Sequence, residues 1–299
     1  MKFRLGKSEP ASKGIARINR ELCEHASGMT GSDNTLTEDT AFELRKTVKK
    51  LRAVLRISRP ALGNSAYREL DRCMRDFGRQ QGPLRDSAVL IETLDALLEH
   101  FKPFPDEIAM QTVRNALHCR YELALEAFMQ ANDEMSLTMR FTDIEQRVRD
   151  LDLRRLSHAM LLEGIGKTYR RCRTGLQKLH EIPSTENSHD LRRQVKYAWN
   201  QLRLIRRWQP GTFKPVITGL DRLGKLLGQD SDLAMLADTV QRHPELCCNR
   251  IRAEFIIALV EARRVALLTA SLRLADRLFA EPPDEFARRL KHDSGGKLR

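Results

Sequence analysis

The chain has 299 residues, with 52 Lys and Arg against 40 Asp and Glu, a formal net charge of +12. Hydrophobic residues at 41% and charged residues at 31% suit a folded protein with a substantial core and exclude wholesale disorder. Only 16 Gly, 11 Pro and 6% aromatics argue against a β-rich fold, and the positive surplus points to an anionic partner.

No stretch approaches the roughly 18 uninterrupted apolar residues that would span a bilayer. The basic start, Met1 to Pro10, is not followed by an apolar run, so no secretory signal is expected. The cysteines (Cys23, Cys73, Cys119, Cys172, Cys247 and Cys248) form no CxxC pair and no Cys/His zinc spacing. Reduced thiols in a cytoplasmic setting are expected, with no metal and no cofactor.

In chain order, Pro and Gly mark breaks near Gly28–Asn34, Pro60–Asn64, Gly82–Pro83, Pro103–Pro105, Ile182–Ser188, Pro210–Gly211, Gly228 and Pro244. The blocks between them run roughly 15 to 30 residues and carry apolar residues every three or four positions. Within Phe42–Arg59, Leu44, Val48, Leu51 and Leu55 fall on one helical face. No block alternates with period two. The predicted fold is all-α.

The sequence also resembles itself. Glu43–Arg56 (ELRKTVKKLRAVLR) matches Asp190–Arg203 (DLRRQVKYAWNQLR) at an offset of 147, with six of fourteen positions identical. Gly78–Leu90 matches Gly224–Leu236 at an offset of 146, sharing both glycines, an Asp, an Ala and a Leu. Gly14–Arg17 resembles Gly164–Lys167 at an offset of 150. These matches predict a tandem duplication: one helical bundle over 1–150, a second over 151–292, and a flexible tail at 293–299.

The repeated helix carries a basic stripe. Arg45, Lys49, Arg52 and Arg56 share one face, widened by Lys46 and Lys50; Arg192, Lys196, Arg203 and Arg207 follow in the second copy, with Arg193 and Arg206 beside them. Like charges at such spacing repel along an isolated helix. A polyanion lying along the stripe explains their retention; a solvated surface face is the plainer alternative. Further cations, Lys167, Arg170, Arg171 and Arg173, cluster on a later block, and His189 stands just ahead of the second stripe. Glu43 and Asp190 read as helix-start residues, favoured by the helix dipole. The Gly82…Asp86 and Gly228…Asp232 pieces read as helix–turn–helix joints, with both aspartates in structural roles.

These doubled motifs resemble the CHAD domains (conserved-histidine α-helical domains). The resemblance rests on Glu43–Arg59, Gly78–Leu90, Gly164–Arg173, His189–Arg206 and Gly224–Leu236. It implies two four-helix bundles related by a pseudo-twofold axis, with basic surfaces around a central groove or pore. It further implies binding of inorganic polyphosphate without catalysis, and association with polyphosphate granules. The binding residues so implied are Arg45, Lys46, Lys49, Lys50, Arg52, Arg56, Lys167, Arg170, Arg171, His189, Arg192, Arg193, Lys196, Arg203 and Arg206. His189 matches the family histidine; Phe42 stands at that place in the first copy, and Trp199 stands where Arg52 does. A phosphate chain offers no bases to stack, so regularly spaced Arg and Lys suit it.

Rival readings are a nucleic-acid-binding helical protein, an accessory module of a phosphate-chain-processing enzyme, and an adaptor for an acidic protein segment. Only Tyr197 and Trp199 offer aromatics near a stripe, and there is no ExExK or GxxxxGK[ST] motif.

Overall fold

The computed structural model describes residues 3–28, 38–102, 107–131 and 134–293. Parts of the breaks expected near 28–34 and 103–105, and residues 294–299 of the expected tail, lie outside the described residues. Among the described residues the chain forms eleven α-helices and one 3₁₀ turn, with no strand. The helices are α1 (Ala11–Ser27), α2 (Glu38–Leu62), α3 (Asn64–Gln80), α4 (Gly82–His100), α5 (Glu107–Ala131) and α6 (Glu134–Arg149). They continue as α7 (His158–Glu181), α8 (Thr185–Ile205), α9 (Pro210–Arg242), α10 (Arg250–Leu278) and α11 (Pro283–Asp293). The fold is all-α.

Helix boundaries recur along the chain. α1 and α7 begin at 11 and 158, α2 and α8 at 38 and 185, while α5 and α10 end at 131 and 278. Each interval is 147 residues, the offset of the repeated basic segment.

The apolar face read on α2 is buried: Leu44, Val48, Leu51 and Leu55 are each at most 2% exposed. They join a core that includes Leu22 of α1, Phe77 of α3, Phe141 of α6, Ile165 of α7, Leu191 and Leu202 of α8, and Leu290 of α11. A second core gathers Leu94 of α4, Leu117 of α5, Leu236 of α9 and Ile256 of α10. Both cores take residues from either side of residue 150. α2 packs on α1, α3, α7 and α8, so its basic face is framed by helices from both halves. Where α7 crosses α2, a Cβ on Gly164 would lie 3.0 Å from the Ile57 carbonyl oxygen, so the two backbones meet closely and a larger residue there would require α2 to shift.

Two readings need correction. Gly82 does mark a joint, between α3 and α4, but Gly228 lies inside the unbroken α9. The difference lies at Pro83, which sits in the first turn of α4, where its missing N–H costs least; Gln229 in the matching place lets α9 run on. Nor do Glu43 and Asp190 start their helices. α2 begins at Glu38, and α8 begins after Ser184, whose side chain accepts from the Asn187 backbone N–H. Glu43 and Asp190 instead pair one turn onward with Lys46 and Arg193.

Candidate anion-binding site

The basic faces of α2 and α8 come together. Arg45, Arg192 and Lys196 all lie near enough to Lys49 to repel its positive charge, and Lys50 stands beside Arg203 in the same way. The Lys49 ammonium is pushed down to about 8, first by the protein around it and then by Arg45, Arg192, Arg85 and Lys196. Lys49 nevertheless remains exposed to solvent. Lys196 and Arg203 are lowered as well, chiefly by burial, with Asp221 nearby opposing the shift in both.

Several of the cations have a local support. Arg45 Nη1 donates to the Gln81 carbonyl at 3.0 Å, tying α2 to the end of α3. On α8, Arg192 and Lys196 lie against α9 at two glycines. A Cβ on Gly228 would stand 3.2 Å from Arg192 Nη2, and one on Gly224 3.1 Å from Lys196 Cε. Aromatic rings carry others: Trp199 lies under Arg203 at 4.3 Å and Lys196 at 5.1 Å, and Phe42 lies under Lys46 and Arg85 at 5.1 and 5.4 Å. The aromatics at the family-histidine and Arg52-equivalent places thus hold neighbouring cations by their faces.

The expected site residues divide by partner. Among the described residues Lys49, Lys50, Arg192, Lys196, Arg203 and Arg206 form no ion pair, and neither do Arg56 and Arg171. Lys46 pairs with Glu43, Arg52 with Asp71 at 3.0 Å, Lys167 with Glu163, and Arg193 with Asp190. Arg170 turns away to Asp284 of α11, so the structure separates it from its neighbour Arg171. Arg206, just past α8, joins Arg207 around Arg4, while His189 is lowered by burial and by Arg192 and Arg193. Arg56, Lys167 and Arg171 line a separate cavity where α2 passes α7.

Arg85 and Asp230 escaped the sequence reading, which gives Asp86 and Asp232 structural roles, as helix caps or partners of a basic residue on the neighbouring helix. Arg85, in the first turn of α4, faces Lys49 and Arg45, although its guanidinium also pairs with Glu92. Asp86 and Asp232 sit among the cations: burial raises both carboxyls, and Arg85 acts on both in the opposite sense. Asp230 is the buried aspartate of α9. It accepts from Ser188 Oγ at 2.7 Å and from Arg264 Nε at 3.0 Å, fastening α8 and α10 to α9. The described residues hold no cluster of three or more His, Cys, Asp or Glu placed to ligate a metal. No helix of the described residues is long and apolar enough to cross a membrane.

A family model of the CHAD domain matches residues 14–241. The chain belongs to the CHAD domain family. A crystal structure of the CHAD domain from the plant Ricinus communis superposes with a TM-score of 0.65 at 15% identity, covering 94% of this chain and 96% of that one. That likeness shows the shared fold. A search of curated proteins returned no match. The family match ends at 241, so α10 and α11 lie beyond it.

Proposed function

We propose that this CHAD domain binds inorganic polyphosphate without catalysis, along the facing basic sides of α2 and α8, and that binding brings it to polyphosphate granules. The observation that carries the reading is Lys49: it meets Arg45, Arg192 and Lys196 yet stays exposed. Dense surrounding protein combined with exposure describes a side chain in a concavity open to water. Lys49, Arg45, Arg192 and Lys196 form no direct ion pair among the described residues, although Asp86 and Asp232 stand near; the cations repel one another, and a polyanion relieves that repulsion. The recurrence of helix boundaries at 147 residues supports an internal duplication, with the two stripes as counterparts across a pseudo-twofold axis.

The aromatics weigh against nucleic acid. Tyr197 is 7% exposed and covered by Arg56 at 4.1 Å, and Trp199 already carries two cations, so neither ring offers a free face to a base.

The test is a titration of long-chain polyphosphate against the wild type and the Lys49→Glu, Lys196→Glu double variant, with single-stranded and duplex DNA alongside. The wild type should prefer polyphosphate at physiological salt, and its affinity should fall steeply as salt rises. The double variant should lose at least about tenfold in affinity, ~1.4 kcal/mol, with its helical circular dichroism intact. Equal binding of DNA, or unchanged binding by the variant, overturns the reading.

A further inference from the structure

Beside the backbone contact of Ile57 and Gly164 lies a cavity of about 440 Å³. It is bounded by the end of α2, the start of α3 and one face of α7, and Arg56, Arg59, Lys167 and Arg171 line it. No carboxylate is among its lining residues. Arg56 lies seven residues beyond Lys49, about 10 Å further along the helix.

The cations here are held in place and largely unsatisfied. The Arg56 guanidinium stacks on Tyr197 at 4.1 Å, and its Nε is buried with no hydrogen-bond partner. Arg59 stacks on Tyr67 at 4.7 Å and donates to Asn64 Oδ1 through Nε and Nη2. Arg171 forms no ion pair among the described residues and is lowered by burial, then by Arg56, with Arg59 adding to the effect. Lys167 pairs with Glu163 at the exposed rim, a contact of the kind worth little in water. Gly63 and Asn64 also line the cavity, which brings the beginning of α3 to it. That helix has no side-chain cap at Gly63 and no acidic residue in its first turn, so its unpaired N–H groups add to the positive field.

A half-open cavity of this size suits a small ligand rather than a length of extended chain. Four cations, of which only Lys167 has a carboxylate partner and two are planar guanidiniums fixed on rings, fit the oxygens of linked phosphates. We infer that this cavity binds a compact oligophosphate group, two or three linked phosphates, either as a free short anion or as the end of a longer chain. The site is distinct from the Lys49 cluster and does not require the long-chain reading to hold.

Calorimetric titration with tripolyphosphate at low salt tests it on three proteins: wild type, Lys167→Glu with Arg171→Glu, and Lys49→Glu with Lys196→Glu. The expected result is one tripolyphosphate per wild-type chain, a loss of at least about tenfold in the cavity variant, and little change in the stripe variant. Absence of tripolyphosphate binding to the wild type overturns the inference, as does an equal loss in both variants. Both substituted side chains of the cavity variant are exposed. If circular dichroism shows that variant unfolded, Arg171→Gln alone should still weaken binding, and unchanged affinity in it also overturns the site. Adding long-chain polyphosphate to the tripolyphosphate-loaded stripe variant separates the sources. Displacement supports the site as one for a chain end, and retention supports it as one for a free short anion.

Discussion

The stretches Gly78–Leu90 and Gly224–Leu236 begin from matching residues and reach different structures. In the first, Pro83 breaks the helix, Leu84 enters the core, and Arg85 turns toward Lys49. In the second, Gln229 keeps α9 whole, Asp230 is buried against Ser188 and Arg264, and Ser231 bonds back to the Leu227 carbonyl. One stretch adds Arg85 to the cluster and is held by apolar packing. The other brings Lys225, paired with Asp221, beside Lys196 and is fastened by a buried ion pair, while its glycines give Arg192 and Lys196 a surface to lie on. Shared sequence preserved the framework here, and single replacements decided which half supplies charge and which supplies support.

The sharpest way to break this comparison is at Asp230. Asp230→Ala should destabilise the fold by about 2–3 kcal/mol in urea unfolding, because it strands Ser188 and Arg264. The estimate sits below the usual range for buried pairs because Arg264 keeps its bonds to Glu261 and Thr185. A loss under about 0.5 kcal/mol, the range of ordinary surface substitutions, would show that the ion pair is not what joins α8, α9 and α10.

The glycines give a smaller and more pointed contrast. A Cβ on Gly78 would meet nothing within 4 Å, whereas one on Gly224 would press on Lys196. Gly78→Ala should stabilise α3 by up to about 1 kcal/mol through helix propensity alone and leave polyphosphate affinity unchanged. Gly224→Ala should preserve stability, since the Lys196 tip can move, and should weaken polyphosphate binding a few-fold. Thermal unfolding and the binding titration read the two effects separately; equal affinities would remove the supporting role given to Gly224.

The smallest expected effect is with pH. Lys49 is held at about 8, below the ordinary lysine value of 10.5, among Arg45, Arg85, Arg192 and Lys196, with Asp86 also close. As pH rises through about 8 the ammonium is lost and polyphosphate affinity should fall. Stability should move the other way. Between about 8 and 10.5 the unfolded chain holds a proton at Lys49 that the folded chain has released, so folding gains as pH rises. Titrations at pH 7 and pH 9, paired with urea unfolding at both, check the opposite signs. Lys49→Met should flatten both trends.

Much of this was legible in the residues. The 3.6-residue spacing of Leu44, Val48, Leu51 and Leu55 gave the buried face of α2, and the all-α class followed from such spacing throughout. The stripes were legible as positions on a helix, but ion pairing is a tertiary property. Spacing alone did not show that Asp71 would neutralise Arg52, or that Asp284 would draw Arg170 away. Arg85 was missed for the same reason: it stands alone in α4, and only the packing of the helices brings it to Lys49. Asp230 and Asp232 differ by two places, which on a helix separates a buried clasp from a neighbour of the cation cluster. The reading of Gly228 as a joint failed because Gln229 follows it where Pro83 follows Gly82, and a lone glycine costs a helix only about 1 kcal/mol.

Asp86 and Asp232 carry one more consequence, for thermodynamics. They are counter-ions built into the protein, standing where dissolved anions would otherwise gather around the cluster. A phosphate chain that settles there exchanges partly against these fixed charges, which remain and are not released to solution. The salt dependence of binding therefore counts fewer charges than the chain touches, and Asp86→Asn with Asp232→Asn should steepen it.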